Sequence, residues 1–183
     1  WWRRQFFESR LGSDSAAVAA SAVIDEYRCQ VKALTGRDSM SIEVRRRPNH
    51  VPLFLLTLFY SHPFAGYKFS DAAARATASW RAAFLSEELE EAAQEPETLF
   101  GRESDVAMIE ADFKSQEERL KQEWVGLICE NISRSSEPLS VSSALPSILG
   151  TTIGLAGESQ LKAAWDRLAK SGHVAPRDKS KDP

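Results

Sequence analysis

Between Ser41 and Tyr60 the chain reads SIEVRRRPNHVPLFLLTLFY, and its pattern of apolar and polar positions changes halfway. In the first arm Ile42 and Val44 alternate with Glu43 and Arg45, the period of an edge strand with one wet face. In the second arm, Leu53 to Phe59, Thr57 is the one polar residue. Such a run fits a strand covered on both faces. Pro48, Asn49 and His50 between the arms predict a hairpin turn. Two strands alone do not hold in water, and no other stretch has the pattern of a strand long enough to join them. The sheet is therefore expected to be completed by residues outside this sequence.

On either side of the hairpin the apolar spacing is helical. Trp2, Phe6, Phe7 and Leu11 predict a short packed helix over 1–11, closed by Gly12. Ser13 or Asp14 is placed to cap a second helix over 15–34, with a stripe of Val18, Ala22, Val23, Tyr27 and Val31, and Gly36 supplies the stop. After the hairpin, SHPFAGYKF (61–69) reads as a loop broken by Pro63 and Gly66. Ser70 then caps an alanine-rich helix over 71–85 that carries Trp80 and Phe84. Glu87, Glu88, Glu90 and Glu91 ahead of Pro96 and Gly101 read as a helix tail running into a solvated linker, which places a boundary at 86–103. A long helix is predicted over 105–132. A short one follows to Gly150, with Pro146 in its first turn. A turn over 151–157 leads to a last helix, 158–171, with Leu161, Ala164, Trp165 and Leu168 on one face and Gly172 at its end. The tail after Pro176 has the composition of a disordered end.

Composition narrows the class. With 183 residues and 43% hydrophobic content, the chain can bury one moderate core or two small ones. The opening Trp1-Trp2, without an initiator Met, reads as the start of an excised segment. The longest apolar run is far shorter than the roughly 20 residues a membrane helix needs, so a membrane partner is not expected. Cys29 and Cys129 stand apart with no histidine at ligand spacing; reduced thiols in a cytoplasm are expected, with no metal site. The net charge of −3 is unevenly spread: residues 1–81 hold 12 Lys or Arg against 7 acids, and residues 82–123 hold 4 against 13. A strong nucleic-acid footprint would show a clearer basic excess.

Candidate chemistry falls in two places. The order long helix, short helix, turn, helix, then an exit at His173 that begins a wing, is winged-helix grammar. In a DNA-binding module of that kind the outward face of the last helix enters the major groove. Ser159, Gln160, Lys162 and Arg167, with Lys170 and His173 at the exit, are the candidate nucleic-acid contacts. Glu158 and Asp166 among them would be repelled by phosphate. Packing or protein docking is the competing use of the same helix. At the hairpin, Arg45, Arg46, Arg47 and His50 are candidates for a phosphate or cleft contact. Their alternative is a charged edge that discourages unwanted pairing. His62 has no nucleophile or carboxylate pattern near it and reads as a loop cap. The acids of 110–118 alternate with Lys114 and Arg119 as on an ion-paired, exposed helix. Trp80, Trp124 and Trp165 sit at apolar helical positions and read as core anchors. No phosphate-binding loop, dinucleotide fingerprint, zinc motif or nucleophile elbow occurs, so catalytic residues are unassigned.

A helix through Tyr27 to Leu34, the strand SIEV, and then PLFLLTLFYSHPFAGYKF with Ser61-His62-Pro63 and Gly66 resemble the C-terminal half of the three-Cys-motif partner (TcmP) family. The likeness runs over 1–84, and the helical end, 115–176, matches the family's layout. The resemblance implies a methyltransferase-like Rossmann domain upstream. The hairpin would supply that sheet's last two strands, the final one inserted antiparallel. The family's cofactor motifs lie upstream, so S-adenosylmethionine is expected only through that domain and no cofactor in this chain. The resemblance further implies a cytoplasmic, bacterial-type protein with a three-Cys-motif protein as partner. The expected fold is α+β: residues 1–85 closing the methyltransferase-like domain, an acidic linker at 86–103, a mostly helical winged-helix-like domain at 104–176 and a disordered tail at 177–183. The expected function is an accessory region that presents a winged helix to nucleic acid or a partner protein. The alternative is part of an enzyme cleft, methyltransferase-like or nucleic-acid-modifying, lined by Arg45 to Arg47, His50 or His62.

Overall fold

The computed structural model describes residues 3, 4, 8, 16–48, 50–94, 102–135 and 140–176. The fold is α+β: α1 (Ala16–Thr35), β1 (Asp38–Arg45), β2 (Pro52–Tyr60), α2 (Pro63–Gln94), α3 (Arg102–Ser133), α4 (Val141–Leu149), a 3-10 turn (Gly150–Thr152) and α5 (Glu158–Lys170). It divides into two compact units, Trp1–Gly66 and Tyr67–Pro183.

In the first unit β1 and β2 form an antiparallel two-stranded sheet with Asp38 opposite Tyr60, Met40 opposite Leu58 and Val44 opposite Phe54. The register slips between Val44 and Arg45, next to Pro52, which begins β2 where a missing N–H costs least. Opposed residues share a face, so Met40, Ile42 and Val44 lie with Leu58, Leu56 and Phe54, while Ser39, Ser41 and Glu43 lie with Phe59, Thr57 and Leu55. α1 covers the second face at its base. The Tyr27 and Phe59 rings meet edge to face at 5.7 Å, and Arg28 donates from Nε and Nη2 to the hydroxyl and carbonyl of Ser39, each at 2.9 Å. Met40 is fully buried on the first face. The predicted stripe of α1 is covered only in part, since Val18 and Tyr27 remain exposed. Two strands offer too little sheet to cover a helix of 20 residues.

Residues 63–69, expected as a loop, are helical. Both supposed breakers have a place in the helix. Pro63 stands at its first position, where no N–H is needed and its fixed φ is already helical. His62 caps it, its Nδ1 accepting the Phe64 N–H at 3.2 Å. Gly66 lies against Tyr60: a Cβ there would come within 2.6 Å of the ring. The same helix runs past the expected end at residue 85 to Gln94, because the glutamates of 87–91 are good helix formers on an exposed surface. The rest of the expected linker up to residue 101 lies outside the described residues, and α3 begins at Arg102.

The second unit has its own core. Trp124, Val125, Ile128 and Ile132 of α3 are buried with Leu145, Ile148 and Leu149 of α4 and Leu161, Ala164 and Leu168 of α5. Pro146 stands in the second turn of α4 rather than the first. The segment between α4 and α5 is held from α2. Thr77 Oγ1 donates to the Gly154 carbonyl at 3.0 Å, and Asp71 Oδ1 accepts the Glu158 N–H at 3.1 Å, capping α5 from a distant helix. Between α2 and α3, Arg81 lies 5.1 Å from the Trp124 ring and pairs with Glu117, both side chains largely buried. The Nη2 to Oε2 hydrogen bond is aligned at 3.1 Å. The Nε to Oε1 approach of 2.8 Å is off the N–H direction and acts as an ion pair.

α5 ends in a Schellman motif. Gly172 adopts φ 76°, the His173 N–H reaches the Leu168 carbonyl at 3.0 Å and the Gly172 N–H reaches Ala169 at 3.1 Å. The expected wing at 173–175 is not a strand; Trp165 Nε1 donates to the Ala175 carbonyl at 2.8 Å and draws the exit back along α5. Of the expected first helix, Arg3, Arg4 and Glu8 are described and helical, with Arg4 paired to Glu8 at 2.7 Å. Trp2, Phe6, Phe7, Leu11 and the tail from 177 onward lie outside the described residues.

Candidate interaction surfaces

Near the turn the apolar side chains are exposed, Val51 75%, Leu53 64%, Phe54 55% and Leu56 48%, with Leu55 half-buried among them, whereas Tyr60 at the base of β2 is 7% exposed. Leu53 and Phe54 point to opposite faces, so β2 is bare on both sides near the turn. The base is packed and the tip is not. β2 also carries no charge, whereas β1 has Asp38, Glu43 and Arg45. β1 is thus the protected edge and β2 the adhesive one. At the base, burial pushes the Tyr60 phenol above its ordinary pKa; Asp38 adds to the rise and Arg28 opposes it.

The four basic candidates of the turn divide by role. Arg45 is spent on the turn itself, pairing with Glu43 and donating from Nη1 to the His50 carbonyl at 2.9 Å. Arg46, Arg47 and His50 are exposed. Neither Arg46 nor Arg47 takes part in an ion pair among the described residues. The described acids of this unit already have partners: Glu8 with Arg4, Asp25 with Arg28, Glu26 with Gln30, Asp38 with Lys32 and Glu43 with Arg45. Around the hairpin, exposed arginines outside those pairs lie side by side at the tip, Arg46 and Arg47, and singly ahead of β1, Arg37.

On α5 the six candidates do not form one surface. Gln160 Oε1 accepts the Gly157 N–H at 3.0 Å and the Ser159 hydroxyl at 3.0 Å, which makes both part of the helix start. Lys162 pairs with Glu158 at 2.6 Å, and His173 Nδ1 lies 2.9 Å from the Ser171 hydroxyl. Arg167 is exposed, and its charge works against the burial that raises the pKa of the Cys129 thiol. The outward positions Ser159, Ala163, Arg167 and Lys170 hold two cations. Glu158 is held below the ordinary carboxylate range by donors on Lys162 and Tyr67.

Other polar groups are turned inward. Next to Glu158, a cleft between α2 and α5 lined by Tyr67, Ser70, Asp71 and Leu161 has room for about one water molecule. Its two acids are already committed: Asp71 caps α5 and pairs with Arg75 at 2.8 Å, and Glu158 pairs with Lys162. Among the described residues no group of His, Cys, Asp and Glu is placed to hold a metal. Likewise no described helix is long and apolar enough to cross a membrane. The exposed apolar flank of β2 had a signal in the uninterrupted run 53–56. The Asp71 cap had none, since its partner lies 87 residues away.

No family model matches the chain, no curated protein matches it, and no solved structure matches it.

Proposed function

We propose that this region is a non-catalytic accessory part of a larger protein. Its hairpin completes the sheet of a methyltransferase-like α/β domain, and its winged-helix-like helical unit docks a partner protein. The observation that carries the reading is β2: an uncharged strand with exposed apolar side chains on both faces, in a sheet of two strands. Large apolar area left in water at about 25 cal/mol per Å² favours a cover, and a strand bare on both faces fits neighbours on its edge and helices on each side. The resemblance to the three-Cys-motif partner family suggests the same arrangement. It names an upstream domain as the neighbour, with S-adenosylmethionine bound there if anywhere, and a three-Cys-motif protein as the docking partner. For the helical unit, protein docking is preferred to nucleic-acid contact because Lys162 is held in an ion pair with Glu158, Gln160 is used at the helix start, and the unit holds 14 Lys or Arg against 20 acids. His62 fits a cap better than a general base, its Nδ1 being engaged with the Phe64 N–H.

Hydrogen–deuterium exchange tests the reading. The β2 amides directed away from β1 should exchange freely in this chain alone. They should become protected when the preceding domain is present in the same polypeptide. Equal exchange in the two forms would sink the proposal.

A further inference from the structure

We propose that the tip of the β1–β2 hairpin is a binding site for duplex DNA, with Arg46 and Arg47 on phosphates and Val51 against base edges. The site lies beyond the apolar flank that the sheet-completing role would use, and it is separate from α5.

Charge is the first ground. The unit Trp1–Gly66 holds nine Lys or Arg against six acids, while Tyr67–Pro183 holds 14 against 20, so a polyanion is attracted by the first and repelled by the second. Within the first unit the described acids are all partnered, and Arg46 and Arg47 stand outside those pairs. Arginine is the side chain best suited to phosphate, its planar fork giving two parallel hydrogen bonds. Two of them sit side by side at the turn.

Shape is the second. A two-stranded ribbon fits the major groove of B-form DNA, about 12 Å wide, whereas the A-form RNA major groove is too narrow for it. β2 is nine residues long, about 30 Å at the usual rise, with its base held by α1 and Leu53 and Phe54 exposed toward the tip. Beside the arginines, Val51 is 75% exposed, an apolar contact suited to a thymine methyl. Arg45 keeps the turn closed by holding Glu43 and the His50 carbonyl, which presents Arg46 and Arg47 from a defined support.

The test uses the full chain and a labelled DNA duplex of about 20 base pairs, two helical turns, read by fluorescence anisotropy. It is repeated with an RNA hairpin and with phosphatidylserine-containing vesicles. The variants are Arg46→Gln/Arg47→Gln and Lys162→Gln/Arg167→Gln/Lys170→Gln. Binding to DNA is expected, falling with salt. Removing two phosphate contacts should lower the slope of log affinity against log salt by about 1.8, so a rise from about 50 to about 200 mM salt costs the tip variant about twelve-fold less affinity than it costs the native chain. The α5 variant should bind as the native chain does. The substituted tip residues are exposed, so unchanged melting by circular dichroism is expected. The proposal is overturned by absence of DNA binding at about 50 mM salt. It is also overturned by a native slope in the tip variant, by loss in the α5 variant instead, or by RNA or vesicles bound as tightly as DNA. Because the tip variant leaves β2 unaltered, protection of β2 by the preceding domain is read independently in the same protein.

Discussion

The two units solve the problem of burial differently. In Tyr67–Pro183 the helices α3, α4 and α5 close on one another, and Ile128 and Ala164 are fully buried between them. In Trp1–Gly66, Met40 is fully buried at the base of the hairpin, but toward the turn Leu56, Phe54 and Leu53 of β2 meet water. Three helices can close a core because each contributes one apolar stripe and needs one neighbour. A two-stranded sheet has two faces and two open edges, and one helix of 20 residues covers only part of one face. A unit closed on its own core and a unit whose sheet is left partly uncovered thus occur in one chain.

The contrast is sharpest in a pair of substitutions. Ile128→Ala opens a cavity in the closed core and should cost about 3 kcal/mol, measured by urea unfolding followed by tryptophan fluorescence and circular dichroism. Phe54→Ser removes a similar apolar area from an exposed strand and should change stability by no more than about 0.5 kcal/mol while improving solubility. Comparable losses from both would break the distinction between the units.

A smaller effect is expected where the hairpin is packed. Gly66→Ala gains about 1 kcal/mol of helix propensity, yet its methyl would meet the Tyr60 ring at 2.6 Å. Displacing a buried ring costs about 1–3 kcal/mol, so a net loss of about 1 kcal/mol is expected in the same unfolding assay. A net gain would mean that Tyr60 yields freely, and that the base of the hairpin is as loosely covered as its tip.

These distinctions were unevenly legible in the sequence. The hairpin, the helix over 15–34, the long helix of α3 and the last helix with its Gly172 stop were readable because each carries its own period and its own end signal. The start of α2 was not. Pro63 and Gly66 have the local character of breakers, and only the cap supplied by His62 and the room demanded by Tyr60 turn them into helix residues. The basic residues of α5 were readable as candidates by type, but their commitments were not. Lys162 faces Glu158 one turn away and Gln160 reaches back to the Gly157 N–H, whereas Arg167 and Lys170 stay exposed. At the hairpin tip the same kind of reading left Arg45, Arg46 and Arg47 equivalent. The geometry separates one structural arginine from two exposed ones.

The smallest expected effect probes how the closed unit is fastened at the start of α5. Glu158 sits in the first helical turn, where a carboxylate also complements the helix dipole, and Lys162 and Tyr67 both donate to it. Its folded pKa lies below the unfolded one, so the folded state holds this proton less tightly than the unfolded chain. The resulting stability is fully present above the ordinary carboxylate range and is lost as pH falls through the depressed folded value. Glu158→Gln keeps an acceptor but removes the titration. Near pH 7 the native chain should exceed the variant by about 0.5 kcal/mol, a modest figure suited to a solvent-screened pair. The two urea midpoints should converge as the solution is acidified below the carboxylate range. A difference that persists unchanged in acid would assign the effect to side-chain packing rather than charge, and α5 would then be fastened at this end by the Asp71 cap.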